Sequence, residues 1–425
     1  MTARGKPAKA GESTYRHGSR RSEVVIVGGG PSGLSTALHL VAQRPELSDR
    51  VVVLERARYP REKFCAGALS ARAELDLGSI GVVVDVPAVA VRTIVAEMPN
   101  GVVQASSGTI GRVVRRIEFD AELAAIARSR GVRIVEDAHV SKVSRDRDGV
   151  RIDSTRGEFE ARVVVGADGV GSVVRRGLGL EAGLATWRAQ VLEVDTPVTA
   201  GDGPRDTLLF DVRDRTFVGY EWDFPTMVGG ESLVCRGVYA LALPGAPLGQ
   251  VDLSLRLETR LARFGLDLTH CKKKRYAERG FAPHEPCAAP HVLLVGEAAG
   301  VDPITGEGIA QALLYGHHAA DYLVERLQAN RLGFDDWSSY LQKTALGIDL
   351  LSRHHLATLF FGPARPFLED ALLALPAWLE LGVAYFGGRA LPKKAIASLA
   401  VETALHTLRH RDRRPLSRLA VTRYS

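Results

Sequence analysis

The chain has 425 residues, 46% hydrophobic and 24% charged, which excludes a disordered or fibrous protein and allows two or three packed domains. The formal net charge of +6 is concentrated in the two ends (Arg4, Lys6, Lys9, Arg16, Arg20 and Arg21; then Arg409, Arg411, Arg413, Arg414, Arg418 and Arg423), so it reads as solvated basic tails, and no nucleic-acid partner is expected. Four cysteines (Cys65, Cys235, Cys271, Cys287) without a Cys-x-x-Cys pair or metal-ligand spacing exclude a disulfide scaffold, point to a cytoplasmic protein and give no reason to expect a metal.

Residues 1–22 are polar and lack the apolar run of a signal peptide, so they read as a flexible basic leader. Val24–Val27 then predicts a buried parallel strand. It runs into Gly28-Gly29-Gly30-Pro31-Ser32-Gly33 and the helical pattern Leu34–Leu40. Gly28 suits the tight turn, Gly30 lets backbone approach a pyrophosphate, and Gly33 permits close packing of helix on strand. Pro31 and Ser32 belong to the same turn, and the helix N-terminus after it offers free N–H groups to the phosphates. A second strand, Val51–Leu54, ends in Glu55, where an acid can hold a ribose hydroxyl, with Arg56 next to it.

The following loop contains Tyr59-Pro60-Arg61-Glu62-Lys63-Phe64-Cys65-Ala66-Gly67-Ala68. Its small residues let backbone approach a flat or bulky group. Arg61 and Lys63 flank Cys65 and would lower its thiol pKa. Strands are predicted at Val89–Val95 and Gly101–Ala105, and an amphipathic helix at Ile117–Arg130, with Arg116 just before it. Val132–Val135, Val140–Val143, Val150–Asp153 and Phe159–Gly166 read as strands, the last ending in Asp168-Gly169. Such a turn brings a carboxylate and free backbone to a sheet edge where ligands bind.

Between about 185 and 245 the pattern becomes alternating and aromatic. Ala189–Asp195, Thr207–Val212, Phe217–Trp222 and Leu233–Leu241 predict an antiparallel sheet. In Tyr220-Glu221-Trp222-Asp223-Phe224-Pro225, the two-residue period puts three aromatic rings on one face. A buried strand at His291–Gly296 leads into Glu297-Ala298-Ala299-Gly300, and Gly306-Glu307-Gly308-Ile309 opens a helix over Ala310–Leu327. Helices follow at Asp335–Thr344, Leu350–Leu359, Pro366–Tyr385 and Lys393–His410. Phe367–Phe386 is apolar but is interrupted by Glu369, Asp370, Pro376 and Glu380, so it reads as a cover over an apolar cavity or a membrane-surface helix rather than a span.

Taken together, these strand-end motifs resemble the FAD-binding pattern of the flavoprotein hydroxylase superfamily, with the fold of p-hydroxybenzoate hydroxylase. The resemblance covers roughly residues 22–330. It implies an α/β protein: a Rossmann-type FAD-binding domain, an antiparallel-sheet substrate domain and a C-terminal helical region. The corresponding segments are 23–184 with 280–330, then 185–279, then 331–425, with 71–115 contributing in part to the substrate side. The resemblance also implies that the Gly28–Gly33 turn and Glu55 hold the ADP half of FAD, that Arg116 reaches the cofactor, and that Val140 lies by the adenine. Asp168, Gly169, Ser172 and Arg175 match the ADGxxSxxR block, and Gly296–Gly300 the GDAAG-type block that binds the ribityl chain. Glu297 stands where that block usually has Asp; a carboxylate one methylene longer still accepts a hydroxyl hydrogen bond.

Within that superfamily the chain is similar to the geranylgeranyl reductases. The Cys65 loop resembles their K-x-C-G-G-G-L, Tyr220–Pro225 their Y-x-W-x-F-P substrate motif, and Pro303–Ile309 their P-x-T-G-E-G-I turn, which adds Ala66, Gly306, Gly308 and Ile309 to the cofactor set. Ala66 and Ala68 replace loop glycines and narrow the flavin-side pocket. The implied activity is reduction of carbon–carbon double bonds in an isoprenoid-type apolar substrate by hydride from reduced FAD. Cys65, beside the flavin and so in the cofactor set too, is the candidate for proton delivery or redox assistance, and Tyr220, Trp222, Phe224 and Pro225 line the substrate channel. The electron donor, NAD(P)H or a ferredoxin, is left open, as are peripheral contact with a membrane surface and the oligomeric state. Two rivals on the same fold are a monooxygenase and a halogenase acting on an aromatic or polyketide-like metabolite. Halogenases use a lysine to handle hypohalous acid and a W-x-W-x-I-P motif; no lysine occurs between Lys63 and Lys142, and Tyr220 stands where the first tryptophan would be. A third, non-enzymatic reading is a flavoprotein electron carrier or lipid-binding module.

Overall fold

The structure, a computed structural model, describes residues 21–180, 186–246, 251–389 and 391–410. Most of the predicted leader and the basic C-terminal end lie outside the described residues. Strand β1 (Ser22–Val27) pairs in parallel with β2 (Val51–Leu54) on one side, Val24 opposite Val51. Helix α1 (Pro31–Gln43) connects the two. Further along the chain come β3 (Ala68–Ser70), α2 (Ala71–Ser79), β4 (Ala88–Met98), β5 (Gly101–Val114), α3 (Arg116–Ser129) and β6 (Arg133–Val135). The antiparallel pair β7 (Val140–Arg145) and β8 (Val150–Ser154) precedes β9 (Gly157–Gly166), which pairs in parallel with β1 on its other side. The first sheet is completed beyond β9 by β16 (Val292–Leu294) and β15 (Ala288–Ala289), giving the order β15-β16-β9-β1-β2-β6. Val24–Val27, Val51–Leu54 and Val163–Val165 are buried along their whole length, because a parallel sheet is covered on both faces. Helix α6 (Gly308–Gln328) packs on α1 so closely that a Cβ on Gly316 would lie 2.5 Å from the Ser35 Cβ, and the Ser35 hydroxyl donates to the Leu313 carbonyl.

After the five-residue helix α4 (Val173–Gly177), the chain forms β10 (Arg188–Pro197), β11 (Thr207–Asp211), β12 (Gly219–Val228), β13 (Glu231–Ala242), α5 (Leu253–Ala262) and β14 (Lys274–Arg279). The second sheet has the order β14-β10-β13-β12-β11-β4-β5-β3, so strands from residues 68–114 complete it. Its pairs are antiparallel except β11 with β4. β12 begins at Gly219 and runs through Pro225 to Val228, past the predicted end at Trp222. β11 pairs with β12 only as far as Asp223, so Pro225 faces β13 alone and its missing N–H breaks no ladder.

The C-terminal helices are α7 (Trp337–Lys343), α8 (Ala345–Phe360), α9 (Arg365–Ala374), α10 (Ala377–Phe386) and α11 (Lys393–His410). α8 starts five residues earlier than its apolar pattern predicts, because the Thr344 hydroxyl caps it by accepting from the Gly347 N–H. The single helix expected over 366–385 is two helices that break at Leu375-Pro376, where proline cannot continue the ladder. Glu369, which interrupts the apolar pattern, is fully buried and ion-paired to Arg365 and Arg215, and Arg365 donates to the Phe217 and Val212 carbonyls. The acid therefore tethers α9 to the second sheet. No helix among the described residues is long and apolar enough to cross a membrane.

Candidate cofactor and substrate site

Gly28 has φ +108°, and a Cβ there would lie 2.3 Å from the Ala167 carbonyl oxygen, so β1 can turn this tightly against β9 only with glycine. A Cβ on Gly33 would lie 1.9 Å from the Gly28 carbonyl oxygen, which seats α1 directly on the turn. Gly30 differs: nothing lies nearer to its missing Cβ than the Arg116 guanidinium at 3.8 Å. Gly30 is also the N-cap of α1 and supplies no side-chain acceptor; Pro31 follows at the first helical position, and Ser32 is buried in the first turn. The result is an open cradle with uncapped helix N–H groups on one side and a guanidinium over it.

Glu55 is buried at the end of β2. It accepts from the Gly29 N–H and the Ala57 N–H, both at 3.0 Å, and pairs with Arg61 at 3.2 Å. Arg56, beside it, is exposed. Arg61 also reaches Asp120 at 3.0 Å, and Asp120 binds Arg116 bidentately at 2.7 Å through both oxygens. This Glu55–Arg61–Asp120–Arg116 chain fixes the guanidinium over Gly30. Arg61 and Asp120 were missed by sequence reasoning, since Arg61 reads as a loop charge and Asp120 as a residue of an amphipathic helix. Val140 is buried at the start of β7.

Cys65 lies in the loop before β3, and its sulfur accepts from the Gly67 N–H at 3.4 Å. The expected lowering of its pKa does not occur: burial pushes the thiol up, and Arg116 only partly offsets that. Of the flanking cations, Arg61 is committed to Glu55 and Asp120, while Lys63 points to Glu297 at 4.0 Å. Ala66 and Ala68 pack beside the aromatic strand.

Asp168 stands in the turn after β9, and both of its oxygens are engaged within the chain. One oxygen accepts from the Ser172 hydroxyl at 2.5 Å and the other from the Val173 and Val174 N–H groups, so it caps α4. The next residue, Gly169 (φ +77°), leaves room for Glu297, whose carboxylate would lie 3.4 Å from a Cβ there. Arg175 donates to the Ala298 carbonyl and thereby binds the two motif blocks together. The turn before α6 is held by Asp302, which accepts from the Ile304 and Thr305 N–H groups. Arg353, on α8, pairs with Asp302 at 2.5 Å, Glu307 at 2.6 Å and Asp349 at 2.9 Å. Beyond this turn Gly308 opens α6, whose N-cap supplies no side-chain acceptor and whose nearest neighbour to a Gly308 Cβ is 4.0 Å away, with Ile309 buried beneath.

On β12 the rings of Tyr220, Trp222 and Phe224 form one wall, with centroids 5.9 and 6.1 Å apart in succession, and all three are buried. Tyr239 stacks on Tyr220 at 4.9 Å, and Phe361 and Val383 of the C-terminal region pack in the same cluster. Glu221 and Asp223 point the other way, into ion pairs with Arg260 on α5. Pro225 shares their side and lines a cleft with Arg205 and Arg263, so the structure does not bring it to the wall. The Tyr220 hydroxyl donates to the Thr305 carbonyl at 2.6 Å, which joins the wall to the turn before α6. Under that turn lies Glu278 of β14: a Cβ on Gly306 would be 2.9 Å from its Oε2 and 3.5 Å from the Tyr220 hydroxyl. Glu278 Oε2 is buried without a hydrogen bond, and burial together with nearby Glu297 pushes its carboxyl well up. An alternating edge strand gave no sequence signal for it.

Helices α1 and α6 both begin without a side-chain cap, behind the open glycines Gly30 and Gly308, and the Arg116 guanidinium lies over the first. That donor set fits a dinucleotide carrying a pyrophosphate and an electron-rich ring.

The comparisons agree. The family described as FAD binding domain matches residues 21–229. The digeranylgeranylglycerophospholipid reductase 1 of Methanopyrus kandleri is 29% identical over 338 residues, 76% of this chain and 84% of that protein. The menaquinone reductase of Mycobacterium tuberculosis strain H37Rv is 28% identical over 329 residues, 72% of this chain and 77% of that one. A crystal structure of a geranylgeranyl bacteriochlorophyll reductase-like protein from Thermoplasma acidophilum shares the fold, with a TM-score of 0.69 at 20% identity over 93% of this chain and 100% of that one. The chain therefore carries an FAD-binding domain and is an FAD-dependent oxidoreductase related to the geranylgeranyl reductases.

Proposed function

We propose that this FAD-dependent oxidoreductase saturates isolated carbon–carbon double bonds in an isoprenoid-type apolar substrate. The observation that carries the reading is the hydrogen bond from the Tyr220 hydroxyl to the Thr305 carbonyl, which fixes the aromatic wall against the turn that opens α6. The two relatives named above are by name a digeranylgeranylglycerophospholipid reductase and a menaquinone reductase, and they support a substrate with an isoprenoid chain.

The Gly28–Gly33 turn, Glu55, Arg56, Arg116 and Val140 hold the adenosine diphosphate half of FAD. Gly169, Glu297 and the Gly296–Gly300 block hold its ribityl chain, while Asp168 keeps their turn in shape. When bound and reduced, FAD supplies a hydride. Gly306, Gly308 and Ile309 would hold the flavin at the N-terminus of α6, where the helix dipole favours negative charge. Tyr220, Trp222 and Phe224 exclude water and offer π-faces to positive charge developing on the alkene. Phe361 and Val383 belong to the same apolar cluster as the wall, so a prenyl chain reaches it by displacing side chains of that cluster. The Cys65 thiol, kept neutral by burial, holds the proton for the second alkene carbon. Exposed Ile348, Leu356 and Leu359 on α8, with Val401 and Leu405 on α11, support peripheral contact with the membrane that carries such a lipid.

Anaerobic mixing of dithionite-reduced enzyme with a prenyl lipid tests the reading. Return of the oxidised flavin absorbance without oxygen is the expected result. Reoxidation only when air is admitted would favour an oxygenase.

A further inference from the structure

We propose that His39, Asp76 and His317 form a zinc-type divalent metal site that ties α1, α2 and α6 together behind the cofactor groove. One ligand atom from each residue lies within 4.8 Å of the other two, and each residue comes from a different helix. That separation along the chain is why residue spacing gave no sign of a ligand set.

His39 is 1% exposed, and its Nε2 has no hydrogen-bond partner. It lies 3.3 Å from Asp76 Oδ2, which also makes no hydrogen bond. Two desolvated polar atoms aimed at each other but out of hydrogen-bond alignment leave a cost that a cation between them removes. On the other side, His317 Nδ1 is 2.6 Å from Asp76 Oδ1. Its second nitrogen, Nε2, is 3.2 Å from Asp321 Oδ2 one turn later, and Gln43 donates to Asp321 Oδ1 at 2.8 Å. With the metal on Nδ1, the Nε2–H donates to Asp321, the outer carboxylate that fixes the tautomer and orientation of metal-bound histidines.

Two imidazole nitrogens and one carboxylate select a zinc-like ion over magnesium or calcium, and three protein ligands leave a fourth position for water. Tetrahedral zinc with bonds of about 2.0–2.1 Å spaces its donors roughly 3.4 Å apart. The 3.3 Å between His39 Nε2 and Asp76 Oδ2 matches that spacing; His317 Nδ1, 2.6 Å from the other oxygen, Oδ1, would draw back as the ion binds. The His39 and His317 rings are stacked 4.6 Å apart and within 2° of parallel, so one ring turns as the metal enters. His317 is the more exposed of the two, at 30% against 1%. The ion would brace α1 and α6, whose N-termini form the two cradles, and α2, which continues from the Cys65 loop. The inference is independent of the reaction proposed above.

Full-length FAD-loaded enzyme, stripped with a chelator and titrated calorimetrically with Zn²⁺, should take up one ion per chain and melt at a higher temperature. Asp76→Asn and His317→Ala should each weaken uptake at least about tenfold, and Asp321→Asn, which removes no ligand, about 10- to 100-fold, with flavin absorbance retained. Asp321 is exposed enough for its variant to fold if the others do not. No zinc uptake, or uptake that Asp321→Asn and each ligand variant that folds leave unchanged, would overturn the site.

Discussion

Tyr220 and Thr305, 85 residues apart, are joined by a 2.6 Å hydrogen bond from the phenol to the main-chain carbonyl, and this is the point where the second sheet meets the cofactor groove. Tyr220 is buried while Thr305 is exposed, so Tyr220→Phe removes the bond and leaves the carbonyl to water. The expected cost is about 0.5–1.5 kcal/mol, read as a roughly three- to tenfold weaker FAD affinity by fluorescence titration, with the fold intact by circular dichroism.

Arg353 holds three carboxylates, Asp302, Glu307 and Asp349, at one junction. Arg353→Ala leaves buried charge without a counterion and should cost about 3–5 kcal/mol in chemical denaturation. Arg353→Lys keeps the charge but not the fork of hydrogen bonds, so it should fall between that variant and the parent.

The glycine turn separates folding from binding. Gly33→Ala places a methyl 1.9 Å from the Gly28 carbonyl oxygen and should prevent folding or strip stability. Gly30→Ala meets only a guanidinium at 3.8 Å. It should leave thermal stability of the flavin-free protein within about 0.5 kcal/mol while weakening FAD binding about tenfold or more. Equal losses in both properties would contradict an open phosphate cradle at Gly30.

Burial raises the Cys65 thiol pKa, so the protonated form persists beyond the ordinary thiol value of about 8.5. If this thiol delivers the proton, single-turnover alkene reduction is flat through neutral pH and declines only on the alkaline side. Cys65→Ala should remove that decline along with most of the rate. Full turnover by Cys65→Ala with pre-reduced FAD would remove Cys65 from the mechanism.

The glycine turn and the aromatic alternation were legible because each is local: the first depends on backbone geometry within six residues, the second on a two-residue period. The same period explains why Pro225 was misplaced, since a contiguous motif on a strand necessarily divides between two faces. Asp168 was identified as a turn residue, but whether it binds or caps depends on a helix that starts five residues later. The Cys65 pKa was misread because burial, which depends on tertiary packing, pushes the thiol up, and because Arg61 and Lys63 pair with Glu55, Asp120 and Glu297. Arg353 and Glu278 carried no signal, as their partners are brought in by tertiary packing alone.

The most direct test of the central claim is the mass of the product formed under strict anaerobiosis by the reduced enzyme with a panel of prenyl lipids and prenyl diphosphates. The account predicts a gain of two hydrogens for each double bond reduced, lost when Tyr220 and Trp222 are both replaced by alanine in a variant that still binds FAD. No hydrogen gain without oxygen, with a gain of one oxygen atom on admitting air, would contradict it.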